Sequence, residues 1–308
     1  MADLEIIDIH AHIFQTADIG TRYQQALGRR NPERNGTVEE MQGFMKRLGI
    51  SHTAMLLYSP TTEMFDRRVP DFPREPRERA EAIKNLREEM VGRAIRYNEW
   101  GVQQAKAHPE FLPFVWPDPV FMTREAMINE LEDKLKKGAK GVKTVPNSLR
   151  IYVNDPRYWP VYDFCNRTGL PLLSPSGAGG PFEGSGWDGW GRPTLFKYAF
   201  EEFKNLKVIM AHFGGPYYQD VVDMARKYPG FYTDISSQVG LWDDPGHMTT
   251  QEGVEWIRKA GVDKVLYGTN YPGSDPVVFA EKLKKLPLKD NELEKVASGN
   301  AKQLLGIK

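Results

Sequence analysis

The chain has a single cysteine, Cys165, in 308 residues. That excludes an intramolecular disulfide and a thiolate zinc site and points to a reducing compartment, so a cytoplasmic location is expected. Charge of either sign is in no excess: 41 basic residues face 41 acidic ones, and neither a nucleic-acid footprint nor an anionic-membrane stripe is expected. No stretch approaches the roughly 18 to 20 apolar residues that span a bilayer. The N-terminal MADLEIIDIHAH lacks a basic segment followed by an apolar run, so neither membrane insertion nor secretion is expected. Repeats at solenoid periods and low-complexity tracts are missing as well. What is there is an ordinary globular balance, 40% hydrophobic and 27% charged, able to bury a large core. The length suits two ordinary domains or one α/β barrel.

Short apolar runs recur along the chain, each followed by a longer segment with helical spacing, which is the rhythm of repeated βα units. Eight strands are predicted: Leu4–His10, His52–Tyr58, Phe111–Trp116, Gly141–Val145, Pro171–Ser174, Lys207–His212, Phe231–Ile235 and Lys264–Gly268. Helices are predicted over Thr37–Leu48, Arg79–Ala107, Thr123–Lys137, Pro156–Thr168, Thr194–Phe203, Tyr218–Lys227, Thr250–Ala260, Val277–Leu286 and Asp290–Leu305. Eight parallel strands with helical crossovers favour a (β/α)8 TIM barrel of the α/β class, a single domain over residues 1–308. Two segments break the rhythm and read as long loops after strands 2 and 5. Ser59–Glu78 has four prolines among arginines and acids; Ser176–Pro193 has seven glycines with Trp187 and Trp190. Loops that follow barrel strands lie on the active-site face, so the second, with Ser176 at its start and two tryptophans suited to covering a flat ring, is expected to wall a pocket.

Candidate chemistry gathers at the predicted strand ends. In IIDIHAH, residues two apart share a face, so Asp8 and His10 are expected together, with His12 joining as the strand ends. That arrangement suits one metal ion or a shared proton-transfer site, because imidazole is the commonest metal ligand and titrates near neutrality. Hydrogen-bonded histidines at a strand end are the structural alternative. His212 ends strand 6 in KVIMAHFGGP, before two glycines that let backbone or ligand approach. Lys143 sits late in strand 4, where a lysine is costly unless paired; it reads as a cation for a substrate carboxylate, or as half of a structural ion pair. Asp234, in FYTDISS, is a second proton acceptor or a structural carboxylate. His247, in the loop after strand 7, is a spare metal-ligand candidate or a solvated loop residue, and His52 and His108 read as structural.

As a set, IIDIHAH, GVKTVP, VIMAHFGGP, FYTDISS, VLYGTNYPGSDP and SGNAKQLLG resemble the amidohydrolase superfamily. The similarity is to the branch containing aminocarboxymuconate-semialdehyde and resorcylate decarboxylases, hydratases and lactonases, and it runs over nearly the whole chain. It implies a (β/α)8 barrel with its site at the strand C-termini, and a homodimer or higher homo-oligomer. It also implies a divalent metal, zinc or another, held by the HxH pair, a histidine closing strand 5 and an aspartate closing strand 8. Here the pair is His10 and His12, with His212 as a further candidate ligand. At the other two positions stand Pro175, in LPLLSPSG, and Asn270, in YGTNYP. An amide is not a base at accessible pH, so the resemblance implies a metal site that is weakened or absent.

Three functions are open at this point. The first is a hydrolase acting on a small carboxylated substrate, aromatic-derived or a lactone, without the usual metal. In it His10, His12, His212 and Asp234 work as acid/base groups, Lys143 holds the anion, and Ser176, Trp187, Trp190 and Asn270 line the pocket. The resemblance makes this class available, since metal-free lactone hydrolysis occurs in the superfamily. The second is a metal-dependent decarboxylase; the third, a non-catalytic descendant that binds a small molecule. With His10, His12, Lys143 and His212 converging and no carboxylate at Asn270, the barrel mouth is expected to be unusually cationic.

Overall fold

The computed structural model describes residues 4–26, 28–30, 32–176 and 189–307. All eight predicted strands are present: β1 (Ile6–Ala11), β2 (Ile50–Leu56), β3 (Phe111–Val115), β4 (Gly141–Lys143), β5 (Leu172–Ser174), β6 (Val208–Met210), β7 (Phe231–Asp234) and β8 (Val265–Leu266). They form one parallel sheet in chain order. β8 returns to β1 through backbone bonds from Ile9 N to Tyr267 O (2.9 Å), Asn270 N to His10 O (2.8 Å) and His12 N to Tyr271 O (2.7 Å). The fold is therefore a (β/α)8 barrel. Its strands read as apolar runs because both of their faces are covered: every residue of β1 and β3 is buried.

Helix boundaries follow local chemistry. Thr37 caps Val38–Leu48 by accepting from Glu40 N, and Gly49 ends that helix at φ 76°. Thr123 and Thr249 cap Arg124–Lys136 and Thr250–Ala260, the second in a reciprocal box with Glu252. Asp275 caps Pro276–Lys284, with Pro276 opening the helix. Most buried apolar residues lie between the sheet and its helices. A separate inner cluster takes Ile7, Ile9, Phe114, Leu173, Ile209 and Leu266 from the strands and Ala301 and Leu304 from the C-terminal helix Asn300–Leu305. Asn300 Nδ2 fastens that helix to Val262 O and Val265 O at the start of β8, and Lys302 pairs with Glu5 ahead of β1. The helix thus closes the end of the barrel where the strands begin.

Several elements differ from expectation, among them the short helix Pro146–Leu149 after β4. Residues 59–78 are not loop throughout: Thr61–Arg68 is a helix followed by a 3-10 turn, Val69–Asp71. The buried Thr61 hydroxyl donates to Asp118 Oδ2 (2.7 Å), and Phe65 packs on Phe121 at 5.2 Å, so tertiary contacts order a stretch whose composition reads as irregular. Ala17–Ala26 is an unexpected helix. Its Gly20 lies where a Cβ would stand 1.8 Å from Asn35 O, so glycine is required by contact rather than by a turn. The single C-terminal helix is interrupted by a π turn, Lys295–Gly299. Among the described residues no helix is long and apolar enough to cross a membrane.

Candidate active site

The ends of β1, β4, β6, β7 and β8 supply the site. In β1 the register slips between Asp8, opposite Thr53, and Ala11, opposite Met55, so one extra residue is accommodated there. The bulge separates the roles of Asp8 and His10. The Asp8 carboxylate turns to the barrel seam, accepting from His10 N (2.9 Å), Thr269 N (3.0 Å) and Thr269 Oγ1 (2.6 Å). It ties β1 to the segment after β8 and does not join His10 in a shared proton site. Burial without a cation pushes its pKa up to about 7, against the three hydrogen bonds.

The His10 imidazole instead meets β7. Its Nδ1 lies 2.9 Å from Asp234 Oδ2 and 3.1 Å from Ser236 Oγ, and both His10 and Asp234 are buried. Asp234 Oδ1 accepts from His212 N (2.9 Å), Ser236 N (3.0 Å) and the Ser236 hydroxyl. Burial works to raise the Asp234 pKa, but His10, His212 and Ser236 together hold it below the ordinary carboxylate range. An ionised acceptor requires His10 to carry its proton on Nδ1. Nε2 is then left with a lone pair, and it has no partner among the described residues.

His212 follows β6 in a backbone conformation that non-glycine residues rarely adopt, φ 58° and ψ 33°, with Phe213 alike. Such a conformation costs on the order of 1–3 kcal/mol and persists where surroundings impose it. Here the Asp234 bond to its backbone and the Ser236 bond to its ring (Nδ1 to Oγ, 2.8 Å) do so. The ring lies 4.7 Å from that of His10.

Lys143 ends β4 at 2% exposure and has no hydrogen-bond or ion-pair partner among the described residues. Burial lowers its pKa to about 7, only partly offset by Asp234. Its charge in turn depresses His10, His12 and His212, though burial is the larger cause for each, and His212 falls to about 3. Against the expectation of a strongly cationic mouth, burial disfavours the charged form of all three imidazoles, which leaves Lys143 as the main cation among these four residues.

The amidohydrolase family model matches residues 7–307. The chain belongs to the amidohydrolase family. Solved structures agree on the fold. An uncharacterised TIM-barrel protein from Bordetella bronchiseptica is 21% identical, with 99% of each chain covered and a TM-score of 0.72. A dihydroxybenzoic acid decarboxylase from a Polaromonas species, with bound manganese and the inhibitor 2-nitroresorcinol, is 17% identical over 98% of this chain and 97% of its own, at TM-score 0.67. A probable 2-pyrone-4,6-dicarboxylic acid hydrolase from Acinetobacter baumannii, with citric acid bound, is 14% identical over 98% of this chain and 99% of its own, at 0.63. No curated protein matches the chain.

In this amidohydrolase the remaining sequence candidates are dispersed. His12 stands beside His10 at 5.4 Å between ring centres, but its ring also meets Tyr23 (5.4 Å) and Tyr58 (5.7 Å), and its Nδ1 is buried without a partner among the described residues. It lies outside the group His10, His212 and Asp234, whose ligand atoms fall within 4.8 Å of one another. Asn270, at φ 67°, donates from Nδ2 to Ser237 Oγ (2.7 Å), linking the segment after β8 to the one after β7. Ser176 is buried, and Gly191 packs so tightly on it that a Cβ would stand 2.8 Å from its carbonyl carbon. Trp190 lies on the ring of Tyr152 at 4.4 Å; Trp187 lies outside the described residues. His247 is an exposed turn residue, and His108 caps its helix and meets Gln42 Nε2 at 3.0 Å. Sequence reasoning missed Ser236, Tyr23 and Tyr58. Only the FYTDISS motif held a signal for the first, as a polar residue two positions after Asp234.

Proposed function

We propose that this amidohydrolase is a hydrolase of small carboxylated esters or lactones, aromatic-derived substrates included, whose chemistry is done by its own side chains. The observation that carries the reading is the buried His10–Asp234 pair, with neither His10 Nε2 nor Lys143 partnered among the described residues. In the reaction, His10 Nε2 takes a proton from water as the water oxygen bonds to the acyl carbon. Asp234 stabilises the imidazolium, which returns the proton to the leaving oxygen when the C–O bond breaks. The Lys143 ammonium pairs with the substrate carboxylate. His212 Nε2 is a second acceptor for the attacking water.

The donor set does not suit a divalent ion such as the manganese of the dihydroxybenzoic acid decarboxylase from Polaromonas. Both Asp234 oxygens and both Asp8 oxygens already accept hydrogen bonds, Asn270 offers an amide, and Pro175 offers no side-chain donor. Among the described residues an ion would find neutral imidazole nitrogens, a competing ammonium and carboxylate oxygens already engaged by hydrogen bonds.

Chelator-treated protein is therefore expected to hydrolyse carboxylated lactones at an undiminished rate, and His10→Gln to lose about 100-fold or more in kcat. Activity lost to chelator and restored by a divalent ion would overturn this reading. One observation favours a second, a metal-dependent decarboxylase: the clustering of His10, His212 and Asp234 within 4.8 Å. That alternative requires about one ion per chain and CO2 release.

A further inference from the structure

Ser236 lies two residues past Asp234 and is fully buried. Its hydroxyl donates to Asp234 Oδ1, which also accepts from the backbone of His212 and of Ser236 itself, and it stands 3.1 Å from His10 Nδ1 and 2.8 Å from His212 Nδ1. A hydroxyl has one proton and two lone pairs. With the proton directed at the carboxylate, Ser236 Oγ can only accept from the two imidazoles, so each must present an N–H at Nδ1. A second acceptor requires the same of His212. The Ser236 carbonyl oxygen lies 3.2 Å from that Nδ1, and a carbonyl never donates. The two histidines depend on Ser236 unequally. His10 has Asp234 Oδ2 as another acceptor at 2.9 Å, whereas both ring partners of His212 belong to Ser236.

We infer that Ser236 is a positioning residue that locks His212 in the Nδ1–H tautomer, as Asp234 does His10, so that both Nε2 lone pairs are held ready for reaction. The inference rests on the hydrolase reading for its purpose, but not for its geometry. It explains why His212 is kept in a left-handed backbone conformation: that turn delivers its ring to the same oxygen that serves His10. It also divides the work of the β7 terminus, with Asp234 supplying the counter-charge and Ser236 the orientation.

Imidazole 15N shifts separate the two tautomers in protein labelled at histidine, without any substrate, and the resonance missing from His212→Gln assigns His212. Wild-type protein at neutral pH is expected to show Nδ1–H at both His10 and His212. In Ser236→Ala, His212 keeps only the longer carbonyl bond, so an Nε2–H population appears at His212 while His10 is unchanged; Ser236→Thr restores the wild-type pattern. In the same series kcat falls about 10- to 100-fold in the alanine variant with KM little moved, as for a misdirected catalytic group. An Nε2–H His212 in the wild type, or an alanine variant with unaltered His212 shifts, overturns the inference. The wild-type spectrum decides alone if Ser236→Ala does not fold. A protein with both histidines in the Nδ1–H form that hydrolyses no carboxylated lactone would overturn the hydrolase reading and leave the tautomer lock standing.

Discussion

Lys143 is charged at a place where charge is expensive. It ends a strand at 2% exposure with no carboxylate in ion-pair range among the described residues, and burial brings its pKa from 10.5 down to about 7. The lowered value makes stability rise with pH between about 7 and 10.5, because the unfolded chain there holds a proton that the folded chain has lost. Below that window the full penalty applies. Lys143→Met is therefore expected to raise the melting temperature at pH 6, by the equivalent of a few kcal/mol at most, and the gain should shrink as pH climbs toward 10. A melting temperature lowered at pH 6 would mean that the ammonium has a partner in solution. Activity should run the other way, since the variant cannot pair with a substrate carboxylate and its KM rises. In the wild type, kcat/KM should fall as pH increases through about 7 and Lys143 loses its proton. The limb in kcat lies higher, because a bound anion holds that proton on.

At the scale of elements, β8 shows how backbone places side chains. It contributes only Val265–Leu266 to the ladder, yet Gly268 just beyond passes so close to the site that a Cβ would stand 2.8 Å from His10 Cβ and 3.1 Å from Ser236 Cβ. Gly268→Ala is expected to cost about 1–3 kcal/mol by overpacking and to reduce kcat, as His10 and Ser236 shift together. Denaturant titration and steady-state kinetics on the folded protein check both, and an unchanged kcat would show that the pair tolerates displacement. The strands themselves were legible in the sequence because burial on both faces leaves continuous apolar runs such as LEIIDIH and NLKVIMAH. The helix Ala17–Ala26 was not, since its burial rests on Gly20 and Gln24 rather than on an apolar stripe. Nor was Thr61–Arg68, whose order comes from Asp118 and Phe121, far away in sequence. His10, Lys143, His212 and Asp234 could be read from polar side chains interrupting strand ends. Ser236 showed only as a polar residue in FYTDISS, and its role could not be read, because it lies in meeting three groups from β1, β6 and β7 at one oxygen.

Across the whole molecule the two ends of the barrel do different work. The strand C-termini carry nitrogens unpartnered among the described residues, a buried lysine and left-handed backbone at His212, features that oppose stability. At the other end, Leu304 (5% exposed) and Ala301 join the inner apolar cluster with Ile7, Ile9 and Phe114, while Asn300 binds the backbone at the start of β8. Stability and chemistry should therefore separate by mutation. Leu304→Ala removes buried methyl groups from a close-packed cluster and is expected to cost roughly 2–4 kcal/mol. Its effect on kcat should be small wherever the protein remains folded, because the hydrogen bonds that join His10, Ser236 and His212 come from β1, β6 and β7 and not from that helix. Urea unfolding measures the first quantity and turnover well below the melting temperature the second. A large fall in kcat at full native population would mean that strain at the base of the barrel is transmitted along β1 to His10, and that the inner cluster positions the site as well as supporting it.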